Sequence, residues 1–262
     1  MRGRPPIVWC VCPTYGRFKE LRQALTCFLH QTYPHKRLVI LNDSWVPIEC
    51  DFPDVEVINH SQRFETLGHK RQALLEAVRG PLVAHWDDDD LYLPWHLEKA
   101  VEALSESQKG MVRPARAWRV YGATEEELEL REPKANRYEG QVVFQKETAL
   151  ACGGYTPMWS GQCKRMMSEA DKRGEFFKYH PKPSYSYVYR WKSGVSHISS
   201  RGNTLQSHLA FAALNNDFGD GMLLPANLTP FYGVFAESVH RHLEAGEAQE
   251  FMNLLEVWRR PP

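Results

Sequence analysis

Four consecutive carboxylates, Asp87, Asp88, Asp89 and Asp90, end a short apolar run over residues 82–86 and precede the segment Leu91, Tyr92, Leu93, Pro94. Adjacent negative charges repel one another. A fold that places them at the end of a core strand therefore needs an opposing charge, commonly a divalent cation with hard oxygen ligands. In open α/β sheets, ligands sit beyond the carboxyl ends of the strands, which is where these acids fall if residues 82–86 form a strand. A solvated acidic turn capping a helix that opens at Pro94 fits the same residues, because acids favour helix N-termini.

A second chemistry-bearing stretch covers residues 172–201. It holds Lys172, Arg173, Lys178, Lys182, Arg190, Lys192 and Arg201 against the single acid Glu175, interleaved with Phe176, Phe177, Tyr179, Tyr185, Tyr187, Tyr189 and Trp191. Cations on phosphates and rings against bases would suit a polyanion such as DNA, and the same rings could stack on a sugar face. Equally, Tyr185, Tyr187 and Tyr189 alternate as the core-facing side of a strand would.

These groups need a scaffold, and the composition allows one. The chain has 262 residues, 43% hydrophobic and 24% charged, enough to bury a core in one large α/β domain or one domain with an appendage. Lys plus Arg equals Asp plus Glu at 32 each, so overall charge points to no partner. Cysteines 10, 12, 27, 50, 152 and 163 include no CxxC pair, which favours reduced thiols. No apolar run approaches membrane-spanning length, and residues 7–12 are too short for a signal core, so a soluble cytoplasmic protein is expected.

Residues 7–12 form a continuous apolar run stopped by Pro13, as in a central parallel strand. After a turn in which Thr14 is a candidate cap, Phe18, Leu21, Leu25, Phe28 and Leu29 repeat at helical spacing. Strands are expected at 38–41 and 55–58, a helix at 68–78, and then the strand leading to the acids. This alternation predicts a parallel, helix-covered sheet. Beyond Pro94 a helix is expected to about 107, a strand or hairpin at 111–121, a charged exposed insertion at 124–130 and a strand at 141–144. Helices are expected at 158–174 and 235–257.

In order along the chain, these segments resemble the GT-A nucleotide-sugar glycosyltransferases of the family-two type. Val11-Cys-Pro-Thr-Tyr-Gly-Arg17 is similar to that family's first strand and turn, His30-Gln-Thr-Tyr-Pro34 with residues 38–44 (LVILNDS) to its second motif, and Gly68-His-Lys-Arg-Gln-Ala73 to its phosphate-side helix. Ala84-His-Trp-Asp-Asp-Asp-Asp90 resembles its acidic motif, and residues 141–155 its GG[YF] turn. The resemblance covers residues 7–155 and weakens beyond.

It implies an α/β fold, a GT-A (Rossmann-like), mostly parallel sheet flanked by helices with a C-terminal helical extension. Residues 1–203 would form the transferase domain, with 1–93 the nucleotide-sugar half and 94–203 the acceptor half, and 204–262 would be the extension packed on the same domain. The implied donor is a nucleotide-diphosphate sugar, UDP- or GDP-linked, with Mn²⁺ or Mg²⁺ as Lewis acid. Asp89 would coordinate the metal, Asp87 the metal or ribose, and Asp90 would face the acceptor, with Asp88 turned away. Asp43 would accept from the base, and Asn42 replaces the usual second acid there. Pro13, Thr14 and Tyr15 would shape the base pocket, Tyr15 by stacking, while Arg17 and Lys70 or Arg71 would approach the diphosphate. His197 is a candidate third metal ligand, since imidazole suits Mn²⁺, and His85 is a core or supporting histidine.

The pattern fails at one place. Where inverting members carry an acidic pair after the GG[YF] turn, this chain has Gln162 and Cys163, and neither can take a proton from an acceptor hydroxyl as a carboxylate does. Three readings remain: a retaining enzyme that needs no protein base, an inverting one that uses another acid such as Asp90 or Glu169, or a protein that only binds. Retention is favoured by analogy. Arg190 completes the catalytic candidates. The acceptor could be a saccharide, a small molecule or DNA, hydroxymethylated DNA among them. The contrasting class is a silent nucleotide-sugar or nucleic-acid binding protein. A nucleotidyltransferase is disfavoured because residues 13–17 hold one glycine rather than a glycine-rich phosphate loop.

Overall fold

A computed structural model describes residues 5–121, 127–132, 139–191 and 219–260. The apolar run at the start becomes β1 (Val8–Thr14), buried along its whole length between two parallel neighbours, β2 (Lys36–Asn42) and β4 (Leu82–His85). With β3 (Val55–Asn59), β6 (Met111–Pro114), β9 (Val143–Gln145) and β10 (Phe176–Tyr179) they build a seven-stranded sheet in the order β10-β6-β9-β4-β1-β2-β3. Only β9 runs against the rest, paired with β4 and β6. The period of two sorts β1 between two cores. Val8, Cys10 and Cys12 face α1 (Phe18–Leu29) and α3 (His96–Ser107), while Trp9 and Val11 face α2 (Leu67–Ala77) and α5 (Lys164–Lys172). Because α1 and α2 cover opposite faces, the carboxyl ends of β1 and β4 border a crevice at the point where the strand order reverses. The acid run starts two residues after β4.

A second sheet stands directly behind the acids, in the order β5 (Leu91–Tyr92), β11 (Tyr187–Trp191), β7 (Ala117–Tyr121), β8 (Glu127–Arg131). Here the structure differs from the expectation at 124–130. Rather than an exposed insertion, Glu127–Arg131 is a strand antiparallel to β7, with Leu128 buried and Leu130 packed on the core. Helices α6 (Thr229–Ser238) and α7 (Ala245–Leu255) pack on this sheet through Trp118, whose ring meets Phe235 and Phe251 edge-on at 5.9 Å. The single helix expected at 235–257 is thus two, bent through the 3-10 turn Val239–Arg241 so that both phenylalanines reach Trp118. The helix expected at 158–174 begins only at Lys164, because Gly161 takes a left-handed φ of 68°. Thr14 ends β1 instead of capping α1, whose N-cap is Arg17 with no capping hydrogen bond from its side chain. All six cysteines are free. No helix among the described residues is long and apolar enough to cross a membrane.

His96 opens α3 fully buried beside Tyr92, with Nδ1 2.9 Å from Ser186 Oγ. Burial pushes its pKa from 6.5 down to about 3. Unfolded chains therefore bind a proton here that the folded chain refuses, and stability falls as pH drops below 6.5. Between pH 7 and 5 this one imidazole should account for about 2 kcal/mol. Chemical denaturation at both pH values should show His96→Gln losing that much less on acidification. Equal losses in both proteins would contradict a neutral buried His96.

Candidate functional site: a carboxylate rim at the sheet switch point

Trp86, stacked on Tyr92 with centroids 3.9 Å apart, anchors the turn that carries the four acids. Each carboxylate has a partner, and Asp88 and Asp89 share one. Arg71, near the start of α2, forms an ion pair with Asp87. Arg17, at the start of α1, holds Asp88 at 2.5 Å and Asp89 at 2.6 Å. Asp90 accepts from the Tyr187 hydroxyl and, at 3.0 Å, from the Arg190 backbone N–H. Asp88, expected to point away from the metal side, is fully buried and shares Arg17 with Asp89. Burial pushes its carboxyl up to about 7, against the downward pull of Arg17 and with a further push from Asp89. Burial likewise drives Asp90 well above the usual carboxylate range, and its neighbours Asp89 and Asp87 add to the effect. Burial beside further acids thus disfavours the charged forms of Asp88 and Asp90, and Arg17 and Arg71 pair three of the four carboxylates.

On the nucleotide side, Lys70 is buried, with Nζ 2.5 Å from both Asp43 Oδ1 and the Thr14 carbonyl. Asp43 also accepts from the Phe64 N–H at 3.0 Å. Asn42 ties the neighbouring loop through Val46 O and Asn59. The Tyr15 ring carries the Arg63 guanidinium 3.6 Å from its centroid, and Arg63 also faces Trp159 at 5.7 Å. Arg71, 4% exposed, keeps Nε and Nη1 without a hydrogen-bond partner, so two buried donors beside Asp87 stand ready for an anion.

On the opposite side lies the 3-10 turn Glu139–Gln141, of which no motif marked Glu139 or Gly140. Its Glu139 carbonyl stands 2.6 Å from His85 Nδ1, and His85 Nε2 lies 2.5 Å from the Tyr155 hydroxyl, so His85 is a fully buried support. Burial lowers its pKa to about 3. Gly140 is required by proximity, since a Cβ there would come within 2.8 Å of Asp87 Oδ2 and 2.6 Å of the Tyr187 hydroxyl. Glu139 is a lone acid at the edge of a weakly patterned segment, and only the fold shows what it approaches.

Some expected residues stand apart from this constellation. Glu169 sits on α5 paired with Arg173 at 3.1 Å and Lys172 at 3.8 Å, and none of its contacts reaches the acid run. Arg190 is a buried positioning residue: Nε reaches the Asp89 carbonyl at 2.5 Å, Nη1 reaches Gln23 at 2.7 Å, and Phe231 lies beneath it. His197 lies outside the described residues, as do Lys192 and Arg201. Tyr179, Tyr185 and Tyr187 are buried, so these rings serve the core rather than an acceptor.

Residues 9–166, which contain the whole rim, match the model of the family described as glycosyl transferase family 2. The chain belongs to glycosyl transferase family 2. Among curated relatives, the uncharacterized glycosyltransferase YwdF of Bacillus subtilis (strain 168) is 31% identical over 101 residues, 36% of this chain. That match spans 37% of the relative's length. Among solved structures, S. aureus TarS 1-349 in complex with UDP-GlcNAc superposes with a TM-score of 0.58 at 15% identity, over 96% of this chain and 80% of that one. The mannosyltransferase PcManGT from Pyrobaculum calidifontis, in complex with GDP-Man and Mn²⁺, gives 0.53 at 14% identity, over 98% and 70%. At such identities the structural likeness speaks for the fold, and the fold of this family-2 member is that of GT-A glycosyltransferases.

Proposed function

We propose that this family-2 protein moves a sugar from a UDP- or GDP-sugar to a hydroxyl acceptor, with the reaction centre at the carboxylate rim. The observation that carries this reading is the run of four carboxylates beside the orphaned donors of Arg71, at the crevice where α/β sheets bind nucleotides. Asp43 would receive the base, and Arg71 and Arg17 would lie along the diphosphate. Among the described residues, no three His, Cys, Asp or Glu side chains converge on one point. A pair of hard oxygen donors nevertheless suits Mg²⁺ or Mn²⁺, which are commonly held by one or two carboxylates plus substrate phosphates. Asp87 and Asp89 would be that pair. When bound, the ion would supply Lewis-acid neutralisation of the departing diphosphate. The acceptor class, saccharide, small molecule or DNA, is open to direct assay.

The buried Gln162 and Cys163 favour a second reading, a silent binder of nucleotide sugars, since they stand where acids are expected. Thermal shift with UDP, GDP, UDP-GlcNAc and GDP-Man, each with Mn²⁺ or Mg²⁺, tests the binding they share. A ligand at 100 times its Kd adds about 2.7 kcal/mol of stability. No shift with any of the four contradicts the donor site. Release of nucleotide diphosphate from a bound donor then separates enzyme from binder.

A further inference from the structure

We propose that Arg17 is a positioning residue that competes with the divalent cation for Asp89. When a nucleoside diphosphate binds, Arg17 yields Asp89 to the cation and donates to the phosphates instead, pivoting on Asp88. The proposal rests on the glycosyltransferase reading above and deepens it, because it says how cation and donor depend on one another.

The contacts of Arg17 with the two acids are unequal. Nε and Nη2 grip both oxygens of Asp88 at 3.2 and 2.5 Å, and that carboxyl is fully buried. Nη1 reaches Oδ2 of Asp89 at 2.6 Å. The first is a bidentate fork, the stronger arrangement for an arginine and a carboxylate. The second can therefore be released while the guanidinium stays held. Asp89 is also the acid assigned to the cation. The Nη1 bond takes a lone pair on one of its oxygens and sets a full positive charge beside the carboxylate, so a metal ion at Asp89 meets both.

The backbone around Arg17 is fixed, which leaves the side chain as the part that can move. Gly16 takes a left-handed φ of 58° where β1 turns into α1, and the Arg17 carbonyl accepts from the Leu21 N–H at 2.9 Å. Phe18, the next residue, is buried in the core. A cation is poorly placed at a helix N-terminus, where the dipole favours anions, and Arg17 makes no capping bond in return. The acids hold it there.

A diphosphate offers the fork the same paired oxygen acceptors as a carboxylate. With Mn²⁺ alone, nothing receives Nη1, and the ion must contend with the guanidinium for Asp89. With a nucleoside diphosphate as well, Nη1 passes from Asp89 to a phosphate oxygen and the carboxylate turns to the cation. Cation and nucleotide then favour each other, by a factor that is the same measured from either side.

The test titrates the full chain with Mn²⁺ by electron paramagnetic resonance, alone and with saturating UDP or GDP, whichever shifts its melting point more. Arg17→Lys keeps the charge, but a single ammonium paired with buried Asp88 loses the fork that also reaches Asp89. It should tighten binding of Mn²⁺ alone by about 10-fold and leave binding with nucleotide nearly unchanged, so the coupling falls by the same factor. Arg17→Met should tighten Mn²⁺ alone likewise and weaken the nucleotide by about 10-fold at saturating Mn²⁺, because a charged donor to the phosphates is lost. Circular dichroism checks that each variant folds. Arg17→Met combined with Asp88→Asn, which strands no buried charge, replaces Arg17→Met if it does not. If Arg17 only neutralises Asp88, Arg17→Lys binds Mn²⁺ as the unmodified protein does, or tightens it equally with and without nucleotide. Either result overturns the proposal, and so does an Arg17→Met protein with unchanged nucleotide affinity. An unmodified protein that binds neither UDP nor GDP with Mn²⁺ contradicts the donor site itself, and Arg17→Lys with Mn²⁺ alone still decides the contest for Asp89.

Discussion

Asp89→Ala should lower nucleotide diphosphate release from a bound donor by about 10³-fold while leaving the fold intact, because it removes charge that acts where the diphosphate departs. The Asp89 side chain is held by Arg17 and its carbonyl by Arg190, so the loop keeps its course through Arg190 and Asp90 when the carboxylate is gone. Removing one of four crowded acids also relieves repulsion on Asp88, to which Asp89 adds. Denaturation should therefore change by no more than about 1 kcal/mol, the scale of an ordinary substitution. Asp88→Ala should do the reverse. It removes the fully buried carboxylate that Arg17 grips through both Nε and Nη2, leaving Arg17 with Asp89, and losing such a buried charged hydrogen bond costs about 1–3 kcal/mol. Paired rate and denaturation measurements check both. If Asp88→Ala loses rate with unchanged stability and Asp89→Ala loses stability, the roles within the run are exchanged.

Lys70→Met should cost about 3–5 kcal/mol of stability, on the order of 10 °C in melting point. Lys70 joins two strand ends, bonding the Thr14 carbonyl on β1 and the Asp43 carboxylate after β2. Burial pulls its ammonium down while Asp43 holds it charged. Methionine fills the space but strands a buried carboxylate on the Phe64 N–H alone. Adding Asp43→Asn should recover part of the loss, and the double-mutant cycle gives the coupling directly. Had Lys70 served the diphosphate instead, as the sequence suggested, Lys70→Met would weaken donor binding and leave denaturation nearly unchanged.

The difference between these outcomes follows from what a sequence displays. Runs of one character were legible: the apolar β1, the α1 stripe of Phe18, Leu21, Leu25 and Phe28, and the four acids behind β4. Pairings across long separations were not. Arg17 reads as a turn cation until β1 and β4 come together and bring it to Asp88, 71 positions away. Strand β5 is two residues long and exists only because β11 pairs with it, so the small sheet had no local signal. The alternation of Leu128 and Leu130 was hidden among glutamates. Tyr187 and Arg190, read as part of a basic aromatic surface, turn inward to hold Asp90.

The most direct measurement is electron paramagnetic resonance of Mn²⁺ titrated with the protein and UDP or GDP. The account predicts that the free-ion signal falls by one equivalent per chain when nucleotide is present, and that Asp89→Ala restores it. A signal that stays at full height with either nucleotide would contradict a cation-binding rim.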